Sequence, residues 1–378
     1  MDSSQKLTNT DVKKLNKNRI FRLIYNSDKI SRQEIADQLG LSLPTVNQNL
    51  KMLMEDGLIE YVGNFTSTGG RRAQAITIDN NARKAISVNI KADYINVDVV
   101  GLKGQIIYSM AVKAHFSKSS AYIEKLTDAV RHAVDYVGAD ADDILGVGVT
   151  VPGILDDEKQ ILISAPPLKA KNYDFTRLIS AIDYPVIVMN DARAEAYAGH
   201  WFNGKPEDEK IYIMLGEGVG GAYINASAIR NGVHNRGGEF GHMVIHPGGK
   251  QCLCGKKGCF EAYVSEKVLS SELDMTLDNF FELAAQGNKN NSDVLDEYMD
   301  NLALGINNIY TMMDCDIVLG GTVAPYLKQY DNSIKERLVN DYSFDTDADY
   351  LRISDGGGRK SGLGAALSFV ARFIDGVE

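Results

Sequence analysis

The sequence has 378 residues, 44% of them hydrophobic and 24% charged, a composition typical of a globular protein with two or three domains. No apolar run approaches the roughly eighteen residues of a membrane span, and the polar first residues lack a signal-peptide core, so we expect a cytoplasmic protein. The net charge of −10 excludes a chain that coats nucleic acid along its whole length. Residues 1–80 carry 11 Lys and Arg against 9 Asp and Glu, however, so only this part suits contact with phosphates.

Three short helices are predicted near the N-terminus. Apolar spacing indicates a first helix over about residues 12–27. A capping box that begins at Ser31 starts a second helix, and Gly40 provides its left-handed exit. Ser42 caps a third helix and Pro44 lies in its first turn, where the missing N–H costs little.

A basic hairpin follows these helices. Residues 58–62 and 75–78 are predicted strands, and the connection between them contains Arg71 and Arg72 beside two glycines. Three helices followed by such a hairpin are typical of a winged helix-turn-helix, which we assign to residues 1–80. The alternative is a small helical domain that binds another protein.

The third helix is the predicted DNA-reading element. A recognition helix presents its exposed N-terminal side chains to base edges in the major groove. Thr45 and Gln48 are candidates for hydrogen bonds to bases, and Lys51 is a candidate for a phosphate contact. Arg71 and Arg72 on the wing are expected to reach the backbone or the minor groove.

Residues 81–378 predict a larger α/β unit. Residues 86–100 are rich in strand formers, residues 121–137 have helical spacing, and residues 145–150 form a buried-strand run. Further apolar strands are expected at 184–189, 210–215 and 317–319. Strands that alternate with helices indicate mixed or parallel sheets.

Three cysteines and a histidine form a candidate metal site. His242 precedes Cys252, Cys254 and Cys259, and three thiolates with one imidazole make a closed tetrahedral structural zinc site. No ligand position is left for water, so we expect no metal catalysis. His246 is an alternative fourth ligand, and a cluster of reduced thiols is the alternative to a metal site.

The spacing within residues 242–261 resembles the signature of the ROK family (repressors, open reading frames and sugar kinases), and the winged head resembles that of its repressor branch. Further motifs occur in the family's order: Thr150-Val151-Pro152-Gly153, Asn190-Asp191-Ala192, Gly237-Gly238-Glu239-Phe240-Gly241-His242 and Glu261. The likeness covers nearly the whole chain. It implies an α/β body of two lobes, similar to actin and sugar kinases, with a ribonuclease-H-like fold.

The resemblance also implies a pyranose-binding site. The implied contacts come from Asn190, Asp191, Glu239, His242 and Glu261. Vicinal hydroxyls need paired acceptors, and carboxylates supply strong charge-assisted hydrogen bonds. His242 would bind the sugar with one ring nitrogen and zinc with the other, whereas each carboxylate has the alternative of being an ordinary surface charge. Residues 165–168 are expected to select among sugars, and the sequence leaves open which sugar is bound.

The nucleotide motifs of the kinases that the chain resembles are altered. Asp-Ile-Gly-Gly-Thr of those kinases corresponds here to Asn89-Ile90-Lys91-Ala92-Asp93. Glu217 occupies a phosphate-loop position where the family usually has threonine, and a carboxylate there repels polyphosphate. Asp191 resembles the catalytic base, but a base without a phosphoryl donor transfers nothing. We therefore expect no kinase activity and no catalytic residue.

Together these features predict a sugar-responsive repressor of a carbohydrate-utilisation operon. Its expected partners are a double-stranded DNA operator and a monosaccharide effector, and its expected assembly is a homodimer or a dimer of dimers that matches two half-sites. One alternative is an active ATP-dependent sugar kinase with a DNA-binding head. The other is a regulator that is controlled by a protein partner and has a vestigial sugar site.

Overall fold

The structure is a computed structural model that describes residues 9–65, 73–156, 159–205, 208–226, 228–354 and 362–377. None of the helices in these ranges is long and apolar enough to cross a membrane. The N-terminal head consists of α1 (Asn9–Tyr25), α2 (Arg32–Leu39), α3 (Leu43–Glu55), β1 (Ile59–Asn64) and β2 (Gln74–Ile78). The two strands pair antiparallel and form the wing.

Local capping explains the bounds of the head helices. The Ser31 side chain accepts a hydrogen bond from the Glu34 N–H, and the Glu34 carboxylate accepts one from the Ser31 N–H. Gly40 follows α2 with a φ of 63°, which favours glycine. Ser42 caps α3 through the Thr45 N–H. The predicted winged helix-turn-helix is confirmed, although α1 begins three residues before the predicted start.

The first lobe of the body contains one five-stranded sheet, one small three-stranded sheet and their helices. Its elements are β3 (Lys84–Ile90), β4 (Tyr94–Gly101), β5 (Ile106–Lys113), α4 (Ser120–Tyr136), β6 (Ile144–Val151), β7 (Ile154–Asp156), β8 (Ile161–Ala165), β9 (Ala170–Asp174), α5 (Thr176–Ile179), β10 (Val186–Asn190) and α6 (Asp191–Asn203). The large sheet has the order β10-β6-β3-β4-β5, and β10, β6 and β3 run parallel. Their carboxyl ends therefore lie side by side, where ligands bind in open α/β sheets.

The second lobe repeats this plan with a second five-stranded sheet. Its elements are β11 (Glu209–Leu215), β12 (Val219–Asn225), β13 (Ala228–Ile229), α7 (Glu261–Val264), α8 (Glu266–Leu269), α9 (Leu277–Ala285), α10 (Lys289–Met313), β14 (Asp316–Gly320), α11 (Ala324–Leu327), α12 (Asp331–Arg337) and β15 (Leu351–Ile353). The sheet order is β13-β12-β11-β14-β15. Strands β11 and β14 pack against the long helix α10 in a separate apolar core.

The last helix, α13 (Leu363–Asp375), joins the head to the first lobe. Ile20, Phe21 and Ile24 of α1 share one buried core with Val370 and Ile374 of α13 and with the back of the first sheet. At the surface of this core, the Asn18 side chain donates a hydrogen bond of 2.9 Å to the Ile374 carbonyl. The Arg22 guanidinium lies 2.5 Å from the Asp375 carboxylate. The head is thus packed onto the body by a continuous apolar core.

The other end of α13 crosses α6 at very short range. A Cβ on Gly364 would lie 1.8 Å from the carbonyl oxygen of Ala194, so the two helix backbones are in direct contact. Helix α6 also packs against the second sheet, because Ala196 shares an apolar cluster with Tyr212 and Ala222. Helix α6 therefore lies between the two lobes and touches the helix that carries the head.

We predict that Gly364→Ala destabilises the protein by roughly 1–3 kcal/mol, because the added methyl group forces α6 and α13 apart. The measurement is the urea midpoint of unfolding. Gly376→Ala near the end of α13 is the control, since its Cβ would lie 3.3 Å from the nearest heavy atom. Equal midpoints for the two variants would contradict the tight crossing.

Candidate functional site

Asn190 lies where β10 ends and α6 begins. Its side-chain oxygen accepts a hydrogen bond of 3.0 Å from the Arg193 N–H, and its amide nitrogen donates one of 2.8 Å to the Gly153 carbonyl. In the parallel sheet Asn190 pairs with Val151. Asn190 therefore caps α6 and fixes the turn after β6, and only its remaining amide hydrogen and lone pair are available to a ligand.

Asp191 is the first residue of α6 and forms an ion pair across the strand ends. One carboxylate oxygen accepts a hydrogen bond of 2.9 Å from the Ala192 N–H, and the other lies 3.3 Å from the Lys91 ammonium. Lys91 directly follows β3 and is 34% exposed, and Asp191 is 21% exposed. The sequence indicated Lys91 only as a departure from the nucleotide motif, so the structure adds it to the site.

The electrostatic surroundings of Lys91 are acidic. Burial lowers the pKa of its ammonium, but the neighbouring carboxylate of Asp191 raises it. Glu217 and Glu195 raise it further, and the resulting pKa lies above the ordinary value. Lys91 therefore remains protonated at neutral pH.

A glycine-rich loop holds Glu239 opposite α6. The Arg193 guanidinium is buried and donates hydrogen bonds to the carbonyls of Asn235, at 2.7 Å, and Gly237, at 3.3 Å. Gly238 has a φ of 86°, and a Cβ there would lie 2.1 Å from the Gly221 carbonyl oxygen. The loop thus follows β12 so closely that only glycine fits at position 238.

Glu239 and His242 face each other at the end of this loop. A carboxylate oxygen of Glu239 lies 3.8 Å from Nε2 of His242. Burial raises the pKa of Glu239, although His242 and Arg193 oppose this effect. The carboxylate of Glu239 is thus a half-buried hydrogen-bond acceptor beside Nε2 of His242.

The other ring nitrogen of His242 faces the cysteine cluster. Its Nδ1 lies 3.8 Å from Sγ of Cys252, and the sulfur atoms of Cys254 and Cys259 are 3.7 Å apart. The four ligand atoms lie within 4.8 Å of one another. Ligands around a tetrahedral metal at ordinary Zn–S and Zn–N distances are about 3.5–3.8 Å apart, so these residues fit such an ion.

His246 does not join this cluster. Its Nε2 is 2.5 Å from the side-chain oxygen of Asn301, and its ring packs edge-on against Tyr263 with centroids 4.7 Å apart. Of the two histidines that the sequence offered as the fourth ligand, the structure brings only His242 to the three thiols.

Glu261 connects the cysteine cluster to the second sheet. One of its oxygens accepts a hydrogen bond of 3.0 Å from the Val219 N–H, and the other lies 3.5 Å from Sγ of Cys252. Gly218 is adjacent, because a Cβ there would lie 2.8 Å from Glu261 Oε2. Both oxygens thus have protein partners, and a sugar contact from Glu261 has to use their remaining lone pairs.

The DNA-reading residues predicted on α3 differ in their exposure to solvent. Gln48 and Lys51 are exposed, and Lys51 lies 3.7 Å from Glu55 on the same helix. Thr45 is half-buried, and its hydroxyl is hydrogen-bonded to that of Ser42 at 2.8 Å. Asn47 is a further exposed polar residue on α3 that the sequence analysis did not include.

The two wing arginines, Arg71 and Arg72, lie outside the described residues.

Comparison with known proteins gives a consistent result. A sequence model of the ROK family matches residues 85–370, and a model of winged helix-turn-helix DNA-binding domains matches residues 15–60. The Xylose repressor of Bacillus subtilis (strain 168) is 28% identical over 319 residues, which cover 82% of each protein. A ROK family transcriptional regulator, a homolog of the E. coli MLC protein, superposes with a TM-score of 0.75 at 21% identity and covers 97% of this chain and 98% of its own.

A ROK hexokinase from Thermus thermophilus also has this fold. Its TM-score is 0.62 at 24% identity, and the match covers 78% of this chain and all of the hexokinase. The ROK match itself takes in well over half of the present sequence. The chain therefore belongs to the ROK family and carries an N-terminal winged helix-turn-helix.

Proposed function

We propose that this protein is a transcriptional repressor whose affinity for a DNA operator is controlled by a sugar that binds in the ROK body. The observation that carries the proposal is the buried core shared by α1 and α13, because it joins a DNA-reading head to the body that contains the candidate sugar site. The matches to both modules and to the Xylose repressor support the same function.

The head binds the operator through α3 and the wing. Gln48 and Thr45 are assigned to base edges, and Lys51 to a phosphate. Arg71 and Arg72 are assigned to the DNA backbone or the minor groove. A homodimer, or a dimer of dimers, presents two heads to two half-sites that are one or more helical turns apart.

The sugar binds at the strand ends of the first lobe and against the Glu239 loop. Asp191, Glu239 and His242 are the proposed central contacts, with Asn190 and Glu261 beside them. D-Xylose is the first candidate effector, because the B. subtilis relative is named a xylose repressor. The 165–168 segment begins at Ala165, the last residue of β8, which lies close to Gly153, so the segment is adjacent to the turn that Asn190 holds.

The geometry favours binding without phosphoryl transfer. One oxygen of Asp191 accepts a hydrogen bond from the Ala192 N–H and the other lies 3.3 Å from the Lys91 ammonium, and each keeps a lone pair that can accept a hydrogen bond from a sugar hydroxyl. The exposed carboxylate of Glu217 stands in the glycine-rich turn between β11 and β12 and disfavours a polyphosphate there. We therefore assign Asp191 to sugar recognition rather than to catalysis.

Zinc is the metal that the cysteine cluster is proposed to hold. His242, Cys252, Cys254 and Cys259 provide the donor set of a closed structural zinc site, which would supply rigidity and no reactive position. With its ring held by the metal, His242 would orient Glu239. Glu261 connects the same cluster to β12 through the Val219 N–H. This arrangement makes the sugar site depend on the metal site for its shape.

Helices α6 and α13 provide the route from the sugar to the head. Sugar contact at Asp191 acts on the first turn of α6, and Ala194 in the next turn touches Gly364 of α13. The opposite end of α13 holds α1. A sugar that binds one arrangement of α6 more tightly than another shifts the equilibrium toward that arrangement and toward the head positions that go with it. The difference in affinity sets the size of this shift.

The function is tested by measuring operator affinity by fluorescence anisotropy, with DNA fragments taken from upstream of the protein's own operon. We predict that D-xylose weakens operator binding by about 5- to 150-fold, the usual range of allosteric coupling, and raises the melting temperature. D-Glucose and N-acetylglucosamine complete the sugar panel. If no sugar changes operator affinity, control by a protein partner would be favoured. If the protein phosphorylates a sugar with ATP and Mg²⁺, it would be established as a kinase.

The coupling route is tested by the double variant Asn18→Ala, Arg22→Ala, which removes polar contacts between α1 and the end of α13. We predict unchanged xylose affinity but a several-fold smaller effect of xylose on operator affinity. Lys13→Ala, an exposed lysine on the same helix, is the control. A fully retained xylose effect in the double variant would show that these contacts are not needed for the signal.

The metal assignment is tested by comparing two histidine variants by zinc analysis and calorimetry. His242→Ala is expected to lose both zinc and xylose binding, because its ring faces the thiols on one side and Glu239 on the other. His246→Ala is the matched control and is expected to keep about one zinc per chain. The reverse pattern, or a wild-type protein free of zinc, would refute the ligand set.

A further inference from the structure

The proposed sugar site has an excess of hydrogen-bond acceptors. Ionised carboxylates accept hydrogen bonds and donate none, and Asp191, Glu239 and Glu261 are all carboxylates. A sugar hydroxyl both donates a proton and accepts one. Carboxylates alone therefore satisfy only half of the bonding capacity of each hydroxyl. His242 can donate from one ring nitrogen beside Glu239, so a hydroxyl at Asp191 needs a further donor.

Asn190 is a poor source of that donor. One of its two amide hydrogens is already donated to the Gly153 carbonyl, and the residue is 8% exposed. The Arg193 guanidinium is buried and donates to the carbonyls of Asn235 and Gly237. Both side chains thus support the surrounding loops.

Lys91 has the required chemistry and position. It follows β3, whose Asn89 pairs with Thr150 of β6, so Lys91 lies at the same edge of the sheet as Asp191. Its ammonium has three N–H groups, and the contact of 3.3 Å with Asp191 uses one of them. The side chain is one-third exposed, which leaves it accessible to a ligand from solvent.

We propose that Lys91 is a sugar-contacting residue that acts together with Asp191 on one hydroxyl group. The ammonium donates a hydrogen bond to the hydroxyl oxygen, and the carboxylate accepts a hydrogen bond from the hydroxyl O–H. No bond is broken, and the pair stays charged on both sides. This inference rests on the proposed sugar-binding function and names a determinant of its specificity.

The same surroundings indicate a neutral ligand. The Lys91 ammonium lies 3.3 Å from the Asp191 carboxylate, and the more distant charges of Glu217 and Glu195 also favour its charged form. A phosphate ester adds negative charge to a place where carboxylates outnumber the lysine, and like charges repel. The ligand class is therefore an unphosphorylated monosaccharide.

Calorimetric titration of the full-length protein with D-xylose tests the role of Lys91. Hydrogen bonds to charged groups contribute enough that Lys91→Met is expected to weaken binding on the order of 10- to 100-fold. Lys91→Arg, which keeps the charge and the donors, is expected to recover part of this loss. Lys113→Met, an exposed lysine at the far edge of the same sheet, is the control and should bind as the wild type does.

Monodeoxy analogues of xylose separate direct contact from a structural role. In the wild type, removal of the contacted hydroxyl should weaken binding about as much as Lys91→Met does. In Lys91→Met, removal of that same hydroxyl should have little further effect, because the two changes delete one interaction. Operator binding without sugar, retained in every variant, verifies the fold.

Three results are decisive. Wild-type affinity in Lys91→Met, or equal losses for every deoxy analogue in both proteins, would overturn the role of Lys91 and leave the repressor function standing. A wild-type protein that binds no sugar while it binds DNA would overturn the proposed function itself. Tighter binding of xylose 5-phosphate than of xylose would refute the assignment of a neutral ligand.

Discussion

The direct backbone contact between α6 and α13 is the constraint on which the rest of the architecture depends. Gly364 lets the carbonyl of Ala194 approach to within van der Waals contact, and no larger residue fits there. Helix α6 carries Asp191 at its start and packs against the second sheet, while α13 carries the head at its end. Because close-packed interiors do not deform continuously, a displacement of α6 has to be taken up by α13 or by the lobes.

A second constraint fixes the opposite wall of the site. Gly238 and Gly241 hold the Glu239 loop against β12 at distances that exclude any side chain, and Arg193 ties the loop to α6. His242 extends this wall to the cysteine cluster. Arg193 belongs to α6 and bonds to the carbonyls of the loop, so the loop that carries Glu239 is fixed to the helix that contacts α13.

The sequence predicted most of what depends on neighbouring residues. Capping at Ser31 and Ser42 and the exit at Gly40 set helix bounds by contacts within three or four residues, and these bounds were correct. The small β7–β9 sheet was not predicted, because its short strands lack a clear alternation. The Lys91–Asp191 pair and the packing of α1 on α13 join residues 100 or more positions apart, and no local pattern reports such contacts.

A kinase-like body suits a sensor only if it leaves its ligand unchanged. Coupling between sugar and operator is a difference of binding free energies, so it requires reversible binding of an unaltered sugar. A free carboxylate base beside a nucleotide would consume the effector and remove the signal. In the proposed site, the ion pair with Lys91 holds the Asp191 carboxylate at the strand ends, where it is the proposed acceptor for a sugar hydroxyl. The residue proposed to recognise the sugar, Lys91, is thus also one of those at which the sequence departs from the nucleotide motif of the kinases that it resembles.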